Sequence, residues 1–400
     1  MKPTPLTEHD PGLPLRRRDW LGAALALLAG CGGGVDSGGT GTGAQRTIAV
    51  GTLSGFGSII VNGVRYDESA ATVDDDDGQS RRRDELRLGM RTTIEASPVV
   101  VQAGVSTATA SSVHIQSELG GPVASVDLAA GRLVVLGQTV AFDARTVVEG
   151  GTAVLQAGAV VWVYGTLDAA TGRIVATRIE PRSGATFYKI RGTVSAVDAA
   201  AGQLSIGALR VAFGALQPAP ASSLLAVGQR LLVKLATTPV GGVWTALSLK
   251  AADATPLPDG AQLELEGRIT AFTSATAFAV GGITVDASGA SFPDGRAGLA
   301  LGTSVEVKGR LSAGVLVATT VQLEDEEEGD EAIEIHGSIA SVDGAGRSFV
   351  VRGVTVRWSD ATRFDSSTAA DLVVGRQVEV KGKPSADGAA VDATLIHVER

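Results

Sequence analysis

The amino-acid sequence predicts an all-β protein: five tandem small five-stranded, OB-like β-barrel repeats, placed after a cleaved lipoprotein signal and a Gly-rich tether. Three observations predict it. A glycine flanked by β-rich residues recurs as Gly51, Gly121, Gly192, Gly267 and Gly337, at separations of 70, 71, 75 and 70 residues. Segments such as Val305-Glu306-Val307-Lys308 alternate apolar and polar residues, the period of a strand with one buried face. Composition agrees: 44% hydrophobic and 19% charged residues are globular values, and 4% aromatics with two methionines leave Val, Ile, Leu and Ala to build the core.

The first element, residues 1–30, reads as an export signal. Arg16, Arg17 and Arg18 precede the apolar run 22–29, which is too short to span a bilayer stably. The run ends in Leu28-Ala29-Gly30-Cys31, which resembles the lipobox of bacterial lipoproteins, and Arg17-Arg18-Asp19-Trp20-Leu21 resembles a twin-arginine motif. Cys31 is the sole cysteine and is the expected lipidation site; it also rules out a disulfide framework. The competing reading is a buried apolar helix with a chance cysteine. Residues 31–46 form the tether, whose Gly/Ser/Thr composition is that of a flexible linker. Gly32 after the lipidated cysteine favours the outer membrane by resemblance to lipoprotein sorting. The expected product is anchored to a membrane through Cys31, with its folded part in water.

The repeats follow as 47–117, 118–185, 186–253, 260–324 and 331–400. After each opening glycine comes a hairpin glycine (Gly63, Gly137, Gly207, Gly282, Gly353) and then a Leu-x-x-Gly step (Leu86–Gly89, Leu155–Gly158, Leu225–Gly228, Leu299–Gly302, Leu372–Gly375). An alternating strand follows the step, and a strand with a small residue, such as Ala176-Thr177-Arg178-Ile179, closes the unit. Asn62-Gly63 and Gly281-Gly282 supply the positive φ angles that two-residue hairpins demand. Helical periodicity is confined to short pieces such as the region 297–301. About five strands in 65–70 residues, left flat, would expose an apolar face and two edges, which rolling into a barrel removes. A β-sandwich spread over two repeats is the alternative. Linkers are expected at Glu118–Gly120, Pro181–Ala185, Ala254–Asp259 and Glu324–Glu331. Units this small bury little surface alone, so neighbouring barrels are expected to pack together.

This repeat, with its Val-x-Gly hairpin, Leu-x-x-Gly step and closing Ala-Thr-x-Ile strand, resembles a bacterial domain of unknown function (the 5666 type) found in tandem on secreted and lipid-anchored proteins. The resemblance covers residues 48–399. It is clearest in the first repeat, Gly55-Phe56-Gly57-Ser58-Ile59-Ile60-Val61-Asn62-Gly63-Val64, and in the fifth. The third departs most, with Leu235-Ala236 where others carry Gly165, Gly309 and Gly382; the first has Ala96. The resemblance implies a barrel-like fold and an envelope location, with no known activity and no catalytic residues to carry over.

Direct search finds little chemistry. No nucleophile elbow, His-Glu-x-x-His helix or phosphate loop is present. His336 and His397, in the opening and closing strands of one repeat, are a weak metal pair; half-buried strand positions are the plainer reading. Two acidic runs are weak calcium candidates: Asp74, Asp75, Asp76 and Asp77 in the first repeat, and Glu326, Glu328 and Asp330 in the last linker. Neither has the spaced register of a calcium loop. A net charge of −9 argues against nucleic acid. Glycan binding tolerates acidity but favours aromatic faces, which are sparse. No cofactor is expected. The chain therefore reads as a non-catalytic binding, scaffold or spacer element of the envelope, facing other envelope proteins or polysaccharide. A glycan- or calcium-binding module is the alternative, and a hydrolase is a remoter one.

Overall fold

In the computed structural model, which describes residues 46–252, 257–324 and 333–399, the strands close on themselves once per repeat. In the first barrel the opening strand Thr47–Phe56 pairs antiparallel with Ile59–Val61, which pairs with Val64–Asp67. Val64–Asp67 meets the closing strand Val105–Gln116 in parallel, and the fourth strand Arg91–Ala96 lies between the closing and opening strands. That circuit satisfies both edges of every core strand.

The second barrel repeats it with Leu119–Asp127, Arg132–Val135, Gln138–Ala141, Val160–Asp168 and Arg173–Pro181. In the third the opening strand is broken into Tyr188–Thr193 and Ala196–Asp198, followed by Gln203–Ile206, Leu209–Ala212, Arg230–Leu235 and Trp244–Ala251. The fourth uses Gln262–Ser274, Ala277–Val280, Ile283–Asp286, Ser304–Ser312 and Val315–Leu323. The fifth uses Ile333–Asp343, Ser348–Val351, Val354–Arg357, Gln377–Pro384 and Val391–Val398.

The recurring sequence landmarks have physical causes. The leucine of the Leu-x-x-Gly step plugs the barrel end: Leu86, Leu155, Leu299 and Leu372 are buried. The glycine that follows turns the chain into the fourth strand with φ between +81° and +88° at Gly89, Gly158, Gly228, Gly302 and Gly375, a region L side chains rarely adopt. The opening glycine serves contact instead. A Cβ at Gly121 would sit 2.7 Å from Leu136, and one at Gly192 would sit 2.4 Å from Ile206, so the hairpin folds onto bare backbone.

Every fourth strand carries a register shift against its closing strand, at Ala96, Gly165, Leu235, Gly309 and Gly382. These are the positions at which the first and third repeats lack the glycine. The bulge is thus a property of the barrel, not of the glycine.

Three expectations need correction. Glu118–Gly120 is not a linker: Gly120 is paired on both sides, with Trp162 and with Lys189, so the opening strand starts at Leu119. The region 297–301 forms turns, not helix. Short 3-10 turns stand before the plugging leucine at Arg83–Glu85, Thr152–Val154 and Ala369–Asp371, and in the third barrel such a turn, Ser222–Leu225, includes the leucine itself. Packing also extends beyond chain neighbours. The first barrel's opening strand pairs in parallel with the fourth barrel (Thr47–Val50 against Gln262–Leu265) and with the fifth (Gly55 and Phe56 against Glu334 and Ile335).

The apolar cores follow these seams. Ile48, fully buried, belongs to the fourth barrel's core, and Trp162 and Tyr164 of the second barrel join the core shared by the first and fifth. Second and third barrels share one further core. The export signal, the tether apart from Arg46, Cys31 and the acidic residues Glu326, Glu328 and Asp330 lie outside the described residues. Among the described residues no helix is long and apolar enough to cross a membrane.

Candidate functional site: a charged cleft between the first three barrels

The acidic run of the first barrel builds this site. Asp75 folds the loop on itself: its Oδ1 accepts from the backbone N–H of Asp77 and of Gln79, both at 3.0 Å, and its Oδ2 accepts from Arg81 Nε at 2.7 Å. The turn is completed by Gly78 at φ +76°. Held this way, Asp76 and Asp77 point at the third barrel.

There they meet its opening and fourth strands. Lys189 Nζ lies 2.5 Å from Asp76 Oδ1 and 3.0 Å from Asp77 Oδ2, Arg191 Nη2 lies 3.0 Å from Asp76 Oδ2, and Lys234 Nζ lies 3.3 Å from Asp77 Oδ1. The side chains of Lys189, Asp76 and Asp77 are 3%, 4% and 5% exposed, so these are interior ion pairs. Lys189 and Arg191 occupy outward positions of a barrel strand. They are buried because the first barrel covers that face.

The second barrel supplies the other wall. Glu180 is buried and takes three donors: Tyr164 Oη at 3.0 Å, Arg178 Nε at 3.1 Å and Arg182 Nη2 at 2.7 Å. Arg178 also donates to the Leu88 carbonyl of the first barrel at 3.3 Å and pairs with Glu149, while Thr177 Oγ1 donates to the Gly89 carbonyl at 2.6 Å. Burial, then the Glu180 charge, drives the Tyr164 phenol well above its ordinary range. The Arg182 guanidinium stands over the Trp162 ring, 5.6 Å from its centroid. Between these walls lies a polar cleft of about 220 Å³.

The four calcium-candidate aspartates are therefore each set against a cation or an imidazole. Asp74 Oδ1 lies 2.6 Å from His114 Nδ1, Asp75 pairs with Arg81, and Asp76 and Asp77 pair with the third barrel. Calcium favours six to eight oxygens with net negative charge; here the nearby cations already balance the carboxylates.

Burial pushes the Asp76 carboxyl up, but Lys189 and then Arg191 outweigh it, and its pKa ends below the ordinary value. The stability Asp76 contributes is therefore complete above its unfolded pKa of about 4 and is lost as pH falls through the lower folded value. Acid titration followed by tryptophan fluorescence should show loosening below about pH 4, with Asp76→Asn losing that part of the pH dependence. Identical acid limbs in both proteins would contradict the assignment.

The histidine pair resolves differently. His336, Glu379 and His397 form one row across three adjacent strands, with Glu379 between the two imidazoles. His397 Nδ1 donates to the Asp365 carbonyl at 3.1 Å. His336 Nε2 lies 3.5 Å from Glu334 Oε1 and 3.4 Å from Glu379 Oε2, and Glu334 is also paired with Arg65 of the first barrel. Glu334 is pulled down to about 2: burial opposes the shift, but His336 and Arg65 exceed it. The Glu334 carboxylate raises the His336 pKa against the effect of burial, and Glu379 adds to it.

Sequence reasoning found Asp74–Asp77 and His336 but missed Lys189, Arg191, Glu180, Glu334 and Glu379. The available signal was charge at alternate positions inside strands, as in Lys189-Ile190-Arg191 and Glu334-Ile335-His336. A lone barrel would leave such residues in solvent.

Among known proteins, a family model described as a domain of unknown function (DUF5666) matches residues 120–180, 266–322 and 336–397. No curated protein matches the chain. The matched regions are the second, fourth and fifth barrels, those with glycine at the bulge of the fourth strand. The first, expected to be the clearest, carries Ala96 there, and the third carries Leu235. Each matched region coincides with one closed barrel circuit, so the matches are consistent with tandem repeats of this domain.

Proposed function

We propose that this chain is an exported cell-envelope protein, lipid-anchored through Cys31 and held at the outer membrane. Its barrels, five copies of one duplicated unit, act as a non-catalytic scaffold that presents a rigid surface to other envelope proteins or polysaccharide. The address rests on the lipobox-like Leu28-Ala29-Gly30-Cys31 after the arginine cluster.

The observation that carries the scaffold reading is the position of the first barrel. It contacts the fourth and fifth by strand pairing, the third by buried ion pairs and the second through Leu88 and Gly89. A spacer needs length and favours barrels in file. A hub that gathers the others favours a fixed platform.

Growing cells with labelled palmitate and fractionating them tests the anchor. Label on the protein and recovery in the outer-membrane fraction are expected, with Cys31→Ser unlabelled and released to the soluble fraction. Unlabelled protein, or a Cys31→Ser variant that stays with the membrane, would count against it. Pull-down of the anchored protein then names its partner.

A further inference from the structure

We propose that Glu334, His336 and Glu379 form a binding site for one divalent transition-metal ion of the zinc class at the seam between the first and fifth barrels. The three residues share a face for simple reasons. Glu334 and His336 are two apart on one strand, and Glu379 is the direct cross-strand partner of His336.

Two of the three donor spacings are those of a coordination shell. One donor atom from each residue falls within 4.8 Å of the other two. Around a tetrahedral zinc with bonds of about 2.0–2.1 Å, neighbouring ligand atoms stand about 3.3–3.4 Å apart. The imidazole nitrogen is 3.5 Å from one carboxylate oxygen and 3.4 Å from the other. A charge-assisted N–H to carboxylate hydrogen bond would close to about 2.7–2.9 Å. His336 Nε2 makes no hydrogen bond at all, although the atom itself is buried. In the neutral Nδ1–H tautomer the Nε2 lone pair would face both carboxylates at ligand spacing.

The surroundings fit an ion taken from solution. The side chains of Glu334, His336 and Glu379 are 19%, 31% and 27% exposed, so water reaches the cluster and a solvent molecule can complete the fourth position. Imidazole with two carboxylates suits zinc-class ions, whereas calcium requires more oxygens. Arg65, reaching across from the first barrel, is paired with the same Glu334 Oε1 that faces His336 and holds that carboxylate in place. Gly57 makes the space: a Cβ there would sit 2.5 Å from His336 Cβ. The site thus spans the seam, with ligands on the fifth barrel and support from the first.

The test is titration of the chelator-treated full chain in detergent with Zn²⁺ by calorimetry and with Co²⁺ by visible absorption. One saturable ion per chain, with the intense Co²⁺ bands of a four-coordinate site, is expected. His336→Gln should weaken binding by about 100-fold and Glu379→Gln by about 10-fold or more, while His114→Gln leaves it unchanged. Circular dichroism of the variants checks that the strands persist; should His336→Gln fail to fold, the Co²⁺ spectrum of Glu379→Gln decides. Absence of saturable binding up to millimolar metal, or binding indifferent to His336 and Glu379, would overturn the proposal.

Discussion

Lys189→Ala is expected to destabilise the protein by about 3–5 kcal/mol, the cost of leaving buried charge without its partner. Lys189 is the shared cation of Asp76 and Asp77, and all three are nearly inaccessible to water. With the ammonium removed, Arg191 still faces Asp76 and Lys234 still faces Asp77. Two interior carboxylates would then divide less positive charge. Chemical denaturation with fluorescence detection measures the loss. A second variant separates charge from packing: Lys189→Met with Asp77→Leu replaces the central pair by apolar groups of similar size and should recover most of the stability. A Lys189→Ala loss below about 1 kcal/mol would place the cluster among weak surface pairs.

Trp162→Ala is expected to cost a similar amount, about 3–5 kcal/mol, as for other large buried rings. Trp162 is cross-strand from Gly120, and its ring fills the space in which a Cβ on Gly120 would stand 2.5 Å away. Its edge meets Phe187 with centroids 6.3 Å apart, and it packs into the core of the first and fifth barrels although it belongs to the second. Truncation would leave a void under a junction rather than inside one barrel. Trp162→Phe should lose markedly less, because it keeps an aromatic plate over the glycine. Equal losses in Trp162→Ala and Trp162→Phe would point to the indole nitrogen instead of volume.

The barrels were legible because their information is local. A glycine with φ above +80° after the Leu-x-x step recurs wherever the chain enters the fourth strand, in all five repeats, with the leucine buried in four of them. Hairpin positions were equally plain: Asn62-Gly63 and Gly281-Gly282 adopt the expected positive φ angles. The seams were not legible. Nothing local to Ile48 says that it completes the core of a barrel more than 200 residues away. Asp76 and Asp77 read as a solvated or ion-binding run because their partners, Lys189 and Lys234, lie in another repeat. Gly120 read as linker for the same reason: its second pairing partner is a different barrel. Side chains on the outward face of a barrel acquire their environment only when barrels assemble.

The central claim is that the first barrel gathers the others into one body. Small-angle X-ray scattering of the chain from residue 46 onward tests it most directly. A compact single body of this length has a radius of gyration of about 20–22 Å, and a single-peaked distance distribution should accompany it. A radius well above that range, with a long tail of distances, would mean barrels strung in file and would contradict the hub.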